Sequence, residues 1–299
     1  MTSEIQISSI SGLKLTLHPL GARIISFIVP IESGPKEIVE YHPDLEKYQT
    51  IRKFSGATVG PFANRIKAAQ FSLKGNVYKL EMNDGDNCLH SGSKGLHLLE
   101  WNVVEHLDNE VLFEAKRNHL EDGFPGNRIF RCRYTLEEDA LIINFYAESD
   151  LDTVVNMTNH SYFNLDNEAH LDNHFFMIDS KGALTLDEHG IPLGTVIPPL
   201  GKFNLASFQR LEDRDFDHNF ILANQNSIEM VGAAYCPNTD ITLEVYTDQP
   251  GLQFYTGNKK FFAFETQHFP DSPNQSKFPS TIVSEDRPYE QTCIYRLNY

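Results

Sequence analysis

Two side chains in this sequence are suited to acid–base chemistry. Glu265 follows the apolar run Phe261-Phe262-Ala263-Phe264, which reads as a buried strand. A carboxylate at the end of such a strand loses hydration, so it must find hydrogen-bond partners or shift its pKa, which is one way to prepare a general base. His160 lies within Val154–Leu165, a segment of strand character crowded with amides and hydroxyls. An imidazole titrates near neutrality, so His160 can donate a proton where an unperturbed carboxylic acid cannot.

Other polar groups gather in short clusters. In Gly60-Pro61-Phe62-Ala63-Asn64-Arg65-Ile66, Arg65 offers a rigid fork of donors and Asn64 both donors and acceptors, a combination suited to adjacent hydroxyls. His90 sits in Asn87-Cys88-Leu89-His90-Ser91-Gly92, just beyond the acidic turn Asn83-Asp84-Gly85-Asp86. That turn lacks the glutamate of a calcium loop, and no metal is expected there. Asp217-His218-Asn219-Phe220 and Gln253-Phe254-Tyr255-Thr256-Gly257-Asn258 complete the set. Taken singly, each has an ordinary structural reading. Arg65 would be a surface ion pair, His90 a structural histidine, and Glu265 the point where a strand surfaces. No G-x-S-x-G, P-loop, G-x-G-x-x-G or H-E-x-x-H pattern is present.

The elements that must position these groups are strands. β-prone runs recur from Glu4–Ile10 to Cys293–Leu297, among them Leu13–Leu17, Arg23–Val29, Ile129–Leu136, Leu141–Ala147, Phe175–Ile178, Ile241–Tyr246 and Leu252–Tyr255. Gln70–Leu73 and Val77–Leu80 flank Lys74-Gly75-Asn76, a hairpin signature in which Gly75 can take a positive φ. Helical patterning is confined to Pro43–Tyr48 and Ala206–Leu211, a turn or two each. The expectation is an all-β protein, an antiparallel β-sandwich with few short helices, forming one domain over residues 1–299. Pro30–Thr50, Leu186–Asn204 and Phe269–Pro279 are read as loops across the sheet ends, where function tends to sit.

Bulk properties narrow the partners. A formal charge of −16 disfavours nucleic acid or an anionic membrane and suits a neutral small molecule. Cys88, Cys132, Cys236 and Cys293 are far apart with no C-x-x-C, which suggests neither a zinc cluster nor a disulfide framework and fits a reducing compartment. The first residues lack the basic start and apolar core of a signal peptide, and no apolar run is long enough to span a membrane. A cytoplasmic protein is expected.

Together the clusters resemble the aldose 1-epimerases, the galactose mutarotases, from about Gly56 to Arg296. The most specific pieces are Asn159-His160-Ser161-Tyr162-Phe163-Asn164-Leu165, Asp217-His218-Asn219-Phe220 and Glu265-Thr266-Gln267-His268-Phe269-Pro270-Asp271-Ser272-Pro273-Asn274. The resemblance implies a large β-sandwich of the mutarotase-like supersandwich type, an open sugar cleft, and neither metal nor organic cofactor. Its substrate would be a small aldose, its state monomer or homodimer, and its reaction interconversion of α and β anomers of free hexoses such as galactose and glucose. Carried over residue by residue, Glu265 matches the general base and His160 the general acid, opposed across the sugar. His90 matches a histidine that holds or polarises the reacting end, and Asn64, Arg65, Asp217 and Gln253 match residues that bond hydroxyls. The chain departs from the family in having Pro61-Phe62 where a basic or small residue and then Tyr or Val are common, and in being shorter than the fuller-length members. Three rival readings remain: a hexose-phosphate epimerase on the same fold, which would want an added basic pocket; a non-catalytic sugar-binding protein; and a glycosidase using Asp217 and Glu265.

Overall fold

The computed structural model describes residues 4–51, 53–223, 227–257 and 259–299; Asn258, in the cluster after Gln253, lies outside them. It is an antiparallel β-sandwich. One layer has eight strands in the spatial order Asn102–Leu107, Glu110–Arg117, Arg128–Glu137, Ala140–Ser149, Tyr289–Asn298, Ile241–Thr247, Glu229–Cys236, Phe175–Ile178. Another has five: Pro192–Ile197, Ala183–Leu186, Asp217–Ile221, Gly251–Tyr255, Ala263–Gln267. A four-stranded meander, Ile5–Ser8 through Gly34–Glu37, adds its apolar face to the same core.

Alternation builds the layers. In Tyr289–Asn298 every second residue from Tyr289 is buried, as a strand with one face on a core requires. The strand Ala263–Gln267 is buried at every position, so both of its faces are covered. Phe254 and Phe264, opposite one another in register, point into the core beside Phe176 and Phe262. The alternate residues Gln253 and Glu265, also opposite one another, must therefore occupy the other face. One apolar and one polar row on the same two strands is what positions the site.

The Lys74-Gly75 hairpin forms with φ of +49° and +81°, the two positive values of a type I′ turn. Several expectations shift. The strand around Glu265 runs from Ala263 to Gln267, so Glu265 is central and not terminal, because pairing with Gly251–Tyr255 continues through Gln267. Val154–Leu165 is broken into two-residue pairings at Thr153–Val154 and Thr158–Asn159, since its amides bond surrounding loops instead of a ladder. Pro192–Ile197 and Gly34–Glu37 are strands inside segments expected to be loops. Pro43–Tyr48 gives a 3-10 turn at Leu45–Gln49, started by Asp44 accepting from the Glu46 N–H. Ala206–Leu211 is not helical: Gln209 exchanges backbone hydrogen bonds with Phe176 at the edge of the large sheet.

Candidate active site

Glu265 and His160 meet directly. Glu265 is 2% exposed, and its Oε1 lies 3.5 Å from His160 Nε2. The two groups are neighbours, where the sequence suggested opposite sides of a sugar-sized space. His160 is fixed through its backbone, its N–H donating to Ala57 and its carbonyl accepting from Gly56. Burial pushes the Glu265 carboxyl well above its ordinary range, with the Asp217 charge adding to the shift. Burial likewise depresses His160, to about 4. Both shifts favour an uncharged pair, because the cost of two buried charges outweighs their attraction unless other groups solvate them.

The remaining predicted residues surround this pair. Gln253 donates from Nε2 to Asp217 Oδ1 at 2.6 Å, joining two strands on the polar face; Asp217 itself is exposed. His90 is locked to Asn64 by two contacts: the His90 N–H donates to the Asn64 carbonyl, and the Asn64 N–H donates to His90 Nδ1 at 3.0 Å. An Nδ1 that accepts fixes the tautomer, leaving the proton on Nε2, so His90 is a neutral donor. Burial, reinforced by His160 and His97, holds it well below the ordinary histidine range. His90 and His160 rings lie edge to face, centroids 5.4 Å apart.

Arg65 donates from Nε to Asp84 Oδ2 at 2.7 Å, so the acidic turn expected not to bind calcium serves to hold Arg65. A Cβ on Gly190 would fall 2.9 Å from Arg65 Nη1, and its φ of +75° suits glycine, so the 187–191 turn lies close over the guanidinium. The loop after Glu265 supports the same segment, Asp271 donating its N–H to the Arg65 carbonyl and accepting from the Lys67 N–H through Oδ1. Phe62, half of the departure at Pro61-Phe62, is fully buried in an apolar cluster with Ile66, Phe71 and Phe124.

Two residues here escaped the sequence reading. Phe54 stacks on His160 and also touches His90 and His97. His97 is buried with no hydrogen-bond partner on either ring nitrogen. Neither lies in a polar cluster, and nothing local marks them.

Among the described residues, Asp166, His174 and Cys236 bring potential metal ligands within 4.8 Å of one another. The chemistry does not fit a cation. His174 Nε2 accepts the Leu165 N–H, which leaves the proton on Nδ1 and no free lone pair on the ring, while Asp166 Oδ2 accepts from Asn238.

The fold is a β-sandwich with a buried carboxyl–imidazole pair on its polar face, and comparison supplies the class. The family model for aldose 1-epimerase matches residues 3–296. The galactose mutarotase of Bos taurus is 32% identical over 313 residues, spanning 96% of this chain and 91% of its own. The aldose 1-epimerase of Escherichia coli (strain K12) is 33% identical over 300 residues, spanning 90% and 87%. Among solved structures, an aldose epimerase homologue from C. elegans superposes with a TM-score of 0.94 at 25% identity, covering 100% of this chain and 99% of that one. The chain belongs to the aldose 1-epimerase family, and is a carbohydrate isomerase.

Proposed function

We propose that Glu265 and His160 exchange the proton that opens and closes an aldose ring, in the anomer interconversion this enzyme carries out. The observation that carries the assignment is the buried contact of 3.5 Å between them. Opening the ring removes the proton from the C1 hydroxyl and delivers one to the ring oxygen. Both oxygens are bonded to C1, so a base and an acid 3.5 Å apart can serve the same end of the sugar. The O–H pair becomes the carbonyl π bond, and the C1–ring-oxygen pair leaves with the proton from His160. Rotation about C1–C2 presents the other carbonyl face. Closure reverses each transfer, with no net proton consumed.

The pair holds one mobile proton. Burial favours the neutral arrangement, and the reactive ion pair differs from it by moving that proton across the contact. A hydroxyl donating to Glu265 stabilises the carboxylate and so favours the reactive form. Each group supplies about 10²–10⁴-fold in rate.

Asn64, Arg65, His90, Asp217 and Gln253 are assigned to the sugar hydroxyls. Arg65 is engaged by Asp84, and Asp217 places a carboxylate at the wall. That balance supports a free aldose over a sugar phosphate. We read residues 1–299 as one domain, supported by one apolar cluster running from Ile5 to Leu297. We place it in the cytoplasm as monomer or homodimer; its four cysteines are free and buried, and no helix among the described residues is long and apolar enough to cross a membrane. Polarimetry on freshly dissolved α-D-galactose and α-D-glucose tests the assignment, and nitrophenyl glycosides test the glycosidase reading. Turnover of the glycoside without anomerisation would overturn it.

A further inference from the structure

His160 lacks the device that ordinarily aims a catalytic imidazole. Its Nε2 faces Glu265, but its Nδ1 is buried and meets no polar atom beyond its own main chain, whereas acid–base histidines are commonly oriented by another residue's bond at the second nitrogen. Something else must fix the ring plane. Three rings surround it. Tyr162 lies edge-on with centroids 5.0 Å apart, His90 edge-on at 5.4 Å, and Phe54 stacks at 5.8 Å with 23° between planes.

Phe54 is the member of this box with no polar atom, and it touches all three histidines. Its centroid is 4.6 Å from that of His90 and 4.8 Å from that of His97. Its own position is set from the far side of the meander. Arg23, fully buried, donates to the carbonyls of Lys53 at 3.2 Å and Ser55 at 2.9 Å, the residues on either side of Phe54, and to that of His97 at 3.0 Å. The Lys53 ammonium lies 5.0 Å from the Phe54 centroid, a cation–π contact. A guanidinium spent wholly on backbone carbonyls thus fixes the main chain on both sides of one aromatic ring, and that ring stands nearly parallel to the His160 imidazole, offset from it.

We propose that Phe54 is a positioning residue, which sets the plane of His160 by stacking where no neighbouring residue hydrogen-bonds its Nδ1. The inference rests on the assignment of His160 as the acid. The charged and titratable groups facing this cluster are Glu265 against His160, Asp217 beyond it, Tyr162 and His90 at its edges, His97 beneath Phe54, and Lys53, Arg65 and Arg23 around the histidines.

The test compares Phe54→Leu, which keeps apolar volume but loses the flat stack, with Phe54→Tyr, which keeps it. kcat in Phe54→Leu should fall roughly 10- to 100-fold with KM little changed, as a misaimed catalytic group produces. Phe54→Tyr should restore wild-type kcat. Uncovering the ring lets water reach it, so the acid limb of the kcat/KM profile and the His160 titration followed by NMR should both move up from about 4 toward the ordinary histidine value. A merely structural role would leave both in place. Wild-type kcat in Phe54→Leu overturns the proposal, and so does an equal loss of kcat in Phe54→Tyr, which keeps the stack. Melting curves separate misfolding from misaiming. The NMR titration reports on Phe54 whatever His160 does, whereas corrected kcat in His160→Asn reports on the assignment of the acid, so the two failures are distinguishable.

Discussion

Two buried polar regions of this molecule are built on opposite principles. At the end of Arg128–Glu137, the Arg128–Asp122 ion pair is wholly inaccessible, yet its charges are well matched: Arg128 donates to both Asp122 oxygens and to the carbonyls of Gly126 and Asn118. On the polar face around Glu265 the reverse holds. Glu265 Oε2, His160 Nδ1, Gln253 Oε1 and both amide atoms of Asn219 and Gln267 are buried without a protein partner. Each such group costs about 1–3 kcal/mol. A fold that satisfies a buried arginine so fully has the means to satisfy these. Several of them fall in one row, Asn219–Gln253–Glu265 across three strands, the row that carries the carboxyl of the candidate acid–base pair.

The comparison predicts opposite consequences for mutation in the two regions. Glu265→Gln keeps shape and removes the basic charge, so kcat, corrected for spontaneous mutarotation, should fall by about 10²–10⁴-fold. The melting temperature should hold, because burial already favours the uncharged carboxyl and an amide of the same shape adds no charge. His160→Asn should lose activity to a similar extent. Near-normal corrected kcat in a stable Glu265→Gln protein would remove Glu265 from the chemistry. Asp122→Ala should do the converse: it strands a buried guanidinium and should cost about 3–5 kcal/mol in denaturant unfolding, with kcat/KM of the folded protein unchanged. If Asp122→Ala instead lowered kcat at full stability, the division between satisfied and unsatisfied regions would fail.

How far the sequence foretold these regions depended on whether their cause was local. The Lys74-Gly75 turn was legible because backbone chirality dictates it. The sandwich was legible because alternation is a property of neighbouring residues. The strand Glu229–Cys236 carries little local signal, since Val231-Gly232-Ala233-Ala234 offers small residues where strand preference lies with β-branched and aromatic ones. The polar clusters around Asn64, His90, His160, Asp217 and Glu265 stood out because each crowds several polar groups into a β-rich chain, and the structure brings them into one neighbourhood. That Glu265 and His160 touch depends on pairing between distant segments, and so does the stacking of Phe54. No spacing rule reports a contact between residues 54 and 160.

The histidines extend the comparison to pH. His90, His97, His160 and His174 are buried and depressed, His97 to about 3 and His160 and His174 to about 4, with burial the leading cause in each. In the unfolded chain they titrate near the ordinary value of about 6.5. Below that pH the unfolded state binds more protons than the folded one, so their contribution to stability is complete above about 6.5 and is lost as pH falls toward 4. Each should forfeit on the order of 1 kcal/mol per pH unit within the window. Denaturant midpoints measured from pH 7 to pH 4.5 should fall steadily, with proton uptake on unfolding. A flat profile would show that these rings are hydrated in the folded protein.

The smallest predicted effect belongs to Arg65, which combines features of both regions. Its Nε is satisfied by Asp84, as in the ion-pair corner, while the guanidinium borders the candidate site beneath Gly190. Contacts with ring hydroxyls are shared by ground and transition states, so Arg65→Ala should raise KM by roughly tenfold and leave kcat within a few-fold. Stability should change little, since the Arg65–Asp84 pair is only partly buried and such pairs contribute about 0–1 kcal/mol. Asp84→Asn sharpens the result. It weakens the anchor without removing the guanidinium, and should raise KM less than Arg65→Ala does. If Arg65→Ala depressed kcat as severely as Glu265→Gln while KM stayed constant, Arg65 would be acting on the developing charge at C1 and not on the distal hydroxyls. The positive group would then belong with the proton-transfer pair, and the neutral proton exchange between Glu265 and His160 would need a third participant.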